Sequence, residues 1–351
     1  MSHITRLVAV AAATISVVAA PGAQAAAAPT AARNGNHHGK VVMHTPHAAS
    51  AARARVRNLM FGGGVDGIGV TTGAPKVYLV FWGSQWGTPT TAVDGTLSFS
   101  GDSKGVAPVL QRMFKGLGTN NETWSGVMTQ YCEGVARGAT SCPAGSARVG
   151  YPTGGALAGV WYDPSIAAPT QADDHQIGVE AVAAAGQFGN TTPASNRSAQ
   201  YVVVSPTGTH PGGFNTAAGN FCAWHDWNGD TTLVGGAVAS TVGDIAFTNM
   251  PYVTDAGASC GQNYVNAGTA GILDGVTIVE GHEYSETVTD QNPAGGWTDS
   301  VGYENADKCS WIGTGGSGGA KNITFATGTF AMQGTWSNDT NGCLTSHAVL
   351  H

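Results

Sequence analysis

The segment Asp274-Gly-Val-Thr-Ile-Val-Glu-Gly-His-Glu-Tyr-Ser-Glu-Thr-Val-Thr-Asp290 carries the densest chemistry in the chain. At 3.6 residues per turn, His282 and Glu286 stand one turn apart and leave the same helix face, with Glu283 beside them. Asp274 is a plausible N-cap. Val276 and Val279 point toward a core, and Gly281 before His282 predicts a close approach by another backbone. The plainer alternative is an acidic helix face with no ligand. The two readings part on whether other residues converge on His282 and Glu286.

Upstream of this helix the chain begins with a basic residue, Arg6, an apolar run from Leu7 to Ala20 and small residues at Ala23-Gln24-Ala25. This reads as a secretory signal peptide over 1–25, so the mature protein is expected to be secreted and extracellular. The run is too short for a membrane span of ~20 residues, and no membrane span is expected elsewhere. Residues 26–58 are rich in Ala, His and basic side chains and contain no acid. They read as a solvated linker or as a pro-segment. Removing Arg6 and the five basic residues of this leader from the formal net charge of −7 leaves −13 for the rest, so the leader is opposite in charge to the remainder of the chain.

Residues 59–351 are long enough for one large domain. Charged residues make up 11 % of the chain and Gly is frequent, which favours a loop-rich exported fold and argues against a nucleic-acid partner. Six cysteines in an exported chain predict three disulfides. Sequential pairing, Cys132 with Cys142, Cys222 with Cys260 and Cys309 with Cys343, closes three local loops. No Cys-x-x-Cys pair occurs, which argues against a Cys-ligated zinc.

Strands are predicted at Lys76–Trp82, Thr123–Cys132, Tyr201–Val204 and Asp244–Phe247, with a closing hairpin from Asn322–Ala326 and Thr329–Met332. Helical spacing marks a first helix from Asp102 to Gly118 and a second from Gln171 to Ala185. His175 and Glu180, five apart on the second, share no face and read as structural or surface residues. Asp226-Trp-Asn228-Gly-Asp230 has the alternating oxygen ligands of a calcium loop but lacks its Gly and closing Glu, so a surface turn is expected there. The fold class is α+β: a single disulfide-stapled domain with a mixed central sheet and the His282 helix packed on it.

A metal reading needs three protein ligands and an open position. His282 supplies nitrogen and Glu286 oxygen. Glu304 and Asp307 return on a segment pinned by Cys309, and either supplies the third. Glu283 would act as general base. His225 and Asp226, held beside Cys222, and Tyr303 are placed as residues lining the site.

Gly281-His282-Glu283-x-x-Glu286 resembles the active-site helix of the zincin metallopeptidases, departing from it at Glu286, where those enzymes carry His. That resemblance implies zinc, or a harder divalent ion given the carboxylate, and a protein or peptide substrate. More of the chain is similar to bacterial secreted relatives of the plant phosphate-induced, EXORDIUM-like proteins. The likeness runs through the Val77–Trp82 strand, Tyr201–Val204, Phe221-Cys-x-x-His225, Asn249-Met-Pro-Tyr252, the His-Glu helix, Gly296-Trp297 and Asp307-Lys-Cys309. It implies an extracellular fold and makes His225 a site candidate. Two functions are therefore expected: a secreted zinc endopeptidase, or a non-catalytic extracellular binding protein with a structural ion.

Overall fold

The computed structural model describes residues 41–43, 58–217 and 219–351. The expected signal peptide at 1–25 and most of the expected 26–58 linker or pro-segment lie outside them. The short strand β1 (Val41–Val42) is the part of the leader within a described element.

The central sheet joins β1 to β2 (Lys76–Trp82), β3 (Leu157–Asp163), β4 (Ala199–Val204), β5 (Phe221–Trp227) and β6 (Ala246–Met250). Their spatial order is β1-β5-β6-β4-β2-β3. β2, β3, β4 and β6 run parallel, whereas β5 is antiparallel to β6 and β1 is antiparallel to β5. This is a mixed sheet in an α+β fold. Within the interior strands β2 and β4, Val77–Trp82 and Tyr201–Val204 read as continuous apolar runs because both faces of these strands are covered.

Helix α1 (Val106–Gly116) starts where the Asp102 carboxylate accepts the N–H groups of Gly105, Val106 and Ala107, satisfying donors that a helix start leaves unpaired. Helix α2 (Asp174–Gln187) begins at a capping box between Asp173 and Gln176. Helix α3 (Asp274–Thr289) is the His282 helix, and every one of its residues is buried. Its N-cap is Leu273 and not Asp274, whose carboxylate instead accepts the backbone N–H groups of Val265 and Asn266.

The sheet has helices on both faces. Gln200 of β4 donates to Thr287 of α3, while Tyr201, its neighbour, donates to Asn196 just beyond α2. Along β6, Thr248 faces α3 through Gln200, and Phe247 packs toward Gly178 of α2. Residues on the even register of these strands therefore meet α3.

A hairpin of β7 (Lys321–Phe325) and β8 (Gly328–Met332) closes over α3, tied by Thr277 donating to the Ala331 carbonyl. Met332 fills the space opposite Gly281, so the absent Cβ admits a side chain and not a second backbone. The close backbone approach is at Gly275, where a Cβ would stand 1.9 Å from the Cys260 carbonyl.

Two expected elements differ. Ser125–Gln130 is a 3-10 helix and not a strand, held by its own i→i+3 bonds, and only Cys132–Glu133 extends. Of Asp226–Asp230, Asp226 and Trp227 belong to β5 and only Asn228–Gly229 turns, and its polar side chains are buried: Asn228 bridges the Val238 carbonyl and the Ile245 N–H, and Asp230 accepts from Thr232. The three disulfides pair sequentially, Cys132–Cys142, Cys222–Cys260 and Cys309–Cys343. Such bonds persist in oxidising, non-cytoplasmic surroundings. Among the described residues no helix is long and apolar enough to cross a membrane.

Candidate metal centre

Three elements bring the polar cluster together. α3 contributes His282, Glu283 and Glu286; β5 contributes His225; and the segment leading to Cys309 contributes Glu304 and Asp307. Two disulfides hold the borrowed elements in place. Cys222, three residues before His225, is tied to Cys260 ahead of α3, and Cys309, two residues after Asp307, is tied to Cys343.

His225 faces α3 because it pairs with Thr248, on the α3 side of β6. Asp226 pairs with Phe247 and so belongs to the α2 face, where its carboxylate accepts the N–H of Trp227. A strand's two-residue period thus separates the neighbours that the sequence grouped. Tyr303 is half-buried and its backbone pairs with Asp299; it is not part of the His/carboxylate groups.

Two sets of potential ligands emerge, His282 with Glu286 and Asp307, and His225 with Glu286 and Glu304. In the first, His282 Nε2 lies 2.9 Å from Glu286 Oε1 and 3.7 Å from Asp307 Oδ1. In the second, His225 Nε2 lies 3.6 Å from Glu304 Oε1, and His225 Nδ1 is 3.8 Å from Glu286 Oε2. Glu304 and Asp307, alternatives for one position in the sequence, therefore serve different histidines.

Each imidazole is also oriented from behind. His282 Nδ1 lies 3.2 Å from Gln333 Oε1, whose amide Nε2 donates to the carbonyls of Ala306 and Gly334. Those donations fix the amide so that Oε1 accepts, which puts the His282 proton on Nδ1 and leaves Nε2 as a lone-pair donor. His225 Nδ1 lies 3.2 Å from Glu283 Oε2. A histidine whose second nitrogen is tied to a carboxylate or amide while the first faces carboxylates is the arrangement found behind metal ligands. Gln333, just past β8, was missed in the sequence because no spacing pattern marks a residue that acts from behind a ligand.

Burial of this cluster is severe. His225, His282, Glu283, Glu286 and Glu304 are 0 % exposed, and Asp307 is 7 % exposed. Burial pushes the Glu286 and Glu304 carboxyls well above the usual range; Glu286, Asp290 and Asp307 raise Glu304 further. Asp290 is pushed up to about 7 by burial, against the N–H groups of Gly296 and Ala294 that it accepts. The nearby cation, Lys308, pairs with Asp299 at 3.2 Å and sits over the Trp336 ring, so its charge is directed elsewhere.

An apolar α3 residue such as Val276 or Val279 gains roughly 1.5–3 kcal/mol by burial. An uncompensated buried carboxylate costs several kcal/mol. The cluster is therefore stable only if protonated or matched by cations. Its nitrogen and oxygen donors fit zinc, manganese or iron better than a soft thiophilic ion.

No protein-family model, no curated protein and no solved structure matches this chain.

Proposed function

We propose that this chain is a secreted metalloprotein whose buried His/carboxylate centre takes a divalent cation, zinc first, as a structural element joining α3 to the Cys309 segment. The observation that carries the reading is the pair of histidines, each held at Nδ1 from behind with Nε2 turned to fully buried carboxylates. His282, Glu286 and Asp307 would hold the ion. A bound divalent cation supplies the positive charge that these carboxylates lack and, where water reaches it, Lewis acidity. The likeness to EXORDIUM-like extracellular proteins agrees with a non-catalytic role.

A second reading, a zinc endopeptidase acting on a protein or peptide substrate with Glu283 as base, is favoured by one observation. Strand β1, from the leader, pairs with the edge of β5 and also meets α3. An extended peptide would reach the centre along that same edge. A precursor with β1 in place would then be closed, and the mature chain open. The likeness of Gly281-His282-Glu283-x-x-Glu286 to the zincin helix belongs to this reading.

Elemental analysis of the purified secreted protein, paired with thermal melts before and after chelation, tests the metal reading. Bound zinc at or above one ion per chain is expected, with a melting temperature that falls by roughly 5–15 °C on chelation. Protein that carries no divalent ion after loading, and melts identically with chelator, would overturn it.

A further inference from the structure

We infer that the centre is built for two divalent cations, with Glu286 bridging them. The inference rests on the metal reading and deepens it. Glu286 offers one oxygen to each half of the cluster: Oε1 lies 2.9 Å from His282 Nε2, and Oε2 lies 3.8 Å from the His225 ring at its Nδ1 edge, within the His225, Glu286 and Glu304 group whose ligand atoms lie within 4.8 Å of one another. Oε2 is buried and accepts no hydrogen bond, so it is a desolvated lone-pair group aimed into the second half. Each half then has its own nitrogen and its own terminal carboxylate. His282 and Asp307 serve one ion, while His225 and Glu304 serve the other.

A single ion does not use this set. The two histidines point Nε2 at different carboxylates, and each has its own support, Gln333 behind His282 and Glu283 behind His225. Duplicate support for two imidazoles is what two ligand spheres require. A carboxylate that bridges through both oxygens sets two ions about 3.5–4 Å apart, the usual spacing of two-metal centres.

Charge leads to the same count. Glu283, Glu286, Asp290, Glu304 and Asp307 are all buried, and Lys308 is engaged with Asp299. One divalent ion offsets two of the five formal negative charges, and two ions offset four. The two-ion state comes near neutrality, as a centre sealed from water demands.

The test is zinc stoichiometry of the full secreted chain, stripped, reloaded with zinc and measured by elemental analysis, alongside His225→Ala, Asp307→Ala and Glu286→Gln. Two ions per chain are expected in the wild type and one in each of His225→Ala and Asp307→Ala. Glu286→Gln is expected to weaken both sites at least tenfold. Manganese loading of the wild type, which needs no variant to fold, is expected to give the exchange-coupled paramagnetic resonance spectrum of a pair. One zinc per chain with an uncoupled manganese spectrum would overturn the two-ion inference and leave the metal reading standing. No zinc at all would overturn both.

Discussion

His225 Nδ1 stands 3.2 Å from Glu283 Oε2 across the gap between β5 and α3, with both side chains fully buried. Glu283 occupies the place in the helix motif where a general base is expected, yet its carboxylate is turned toward an imidazole. In the metal reading this contact orients His225. Glu283→Leu is therefore expected to lower zinc affinity at the His225 half by about 10–100-fold and to leave the His282 half unchanged. Competition titration against a chromophoric chelator reads the two affinities. Equal affinities in wild type and variant would show that the contact does not position His225. On the endopeptidase reading, Glu283→Gln retains zinc and loses hydrolysis.

Gln333 gives the complementary case. Its amide holds His282 Nδ1 on one side and the carbonyls of Ala306 and Gly334 on the other. Gln333→Ala is expected to cost about 10–100-fold in zinc affinity at the His282 half. Unchanged affinity at the His282 half in Gln333→Ala would show that this hydrogen bond does not orient His282.

Away from the centre, Glu180 of α2 is raised to about 8 by burial and then by Asp163 at the end of β3. Between the ordinary glutamate value of 4.5 and about 8 the native chain holds a proton that the unfolded chain releases. The unfolded state binds fewer protons there, so stability falls as pH rises through that window. Each unit is about 1.4 kcal/mol, and with partial solvent access discounted the change is of order 2 kcal/mol. Melting temperatures from pH 5 to pH 8 should decline more steeply for wild type than for Glu180→Gln. Parallel curves would show that the Glu180 proton is not linked to folding.

Much of this was legible in local patterns, and the rest depended on register and distance. The buried strands Lys76–Trp82 and Tyr201–Val204, the two flanking helices and the His282 helix follow from periodicity and caps. Sequential disulfides follow from loop closure. His225 carried a signal, a histidine three residues past a cysteine in an aromatic strand, but its pairing with Glu304 depends on which face of β5 it takes. Asp226 was grouped with it only because adjacency in sequence hides the alternation of a strand. The division of Glu304 and Asp307 between two histidines could not be read, since both lie on one short segment. Ser125–Gln130 looked extended because its apolar pattern suits either a strand or a tight helix.

The leader supplies the remaining prediction. β1 pairs with β5 through Val41 opposite Ala223 and Val42 opposite Phe221, and Met43 N–H donates to the Asn220 carbonyl. These contacts satisfy an edge that would otherwise expose unpaired backbone groups two to four residues from His225. A chain cut so that it begins at Asn58 loses that partner strand. Its amides over Phe221–His225 should exchange with solvent faster than in the full chain, while β4 and β6 remain protected by their neighbours. The same cut separates the two functional readings. If β1 closes an enzyme, the cut chain hydrolyses casein and the full chain does not. If the ion is structural, the cut chain stays inactive and the effect of removing β1 is confined to the β5 edge. Unchanged exchange over Phe221–His225 after the cut would mean that the leader strand does not protect this edge in solution.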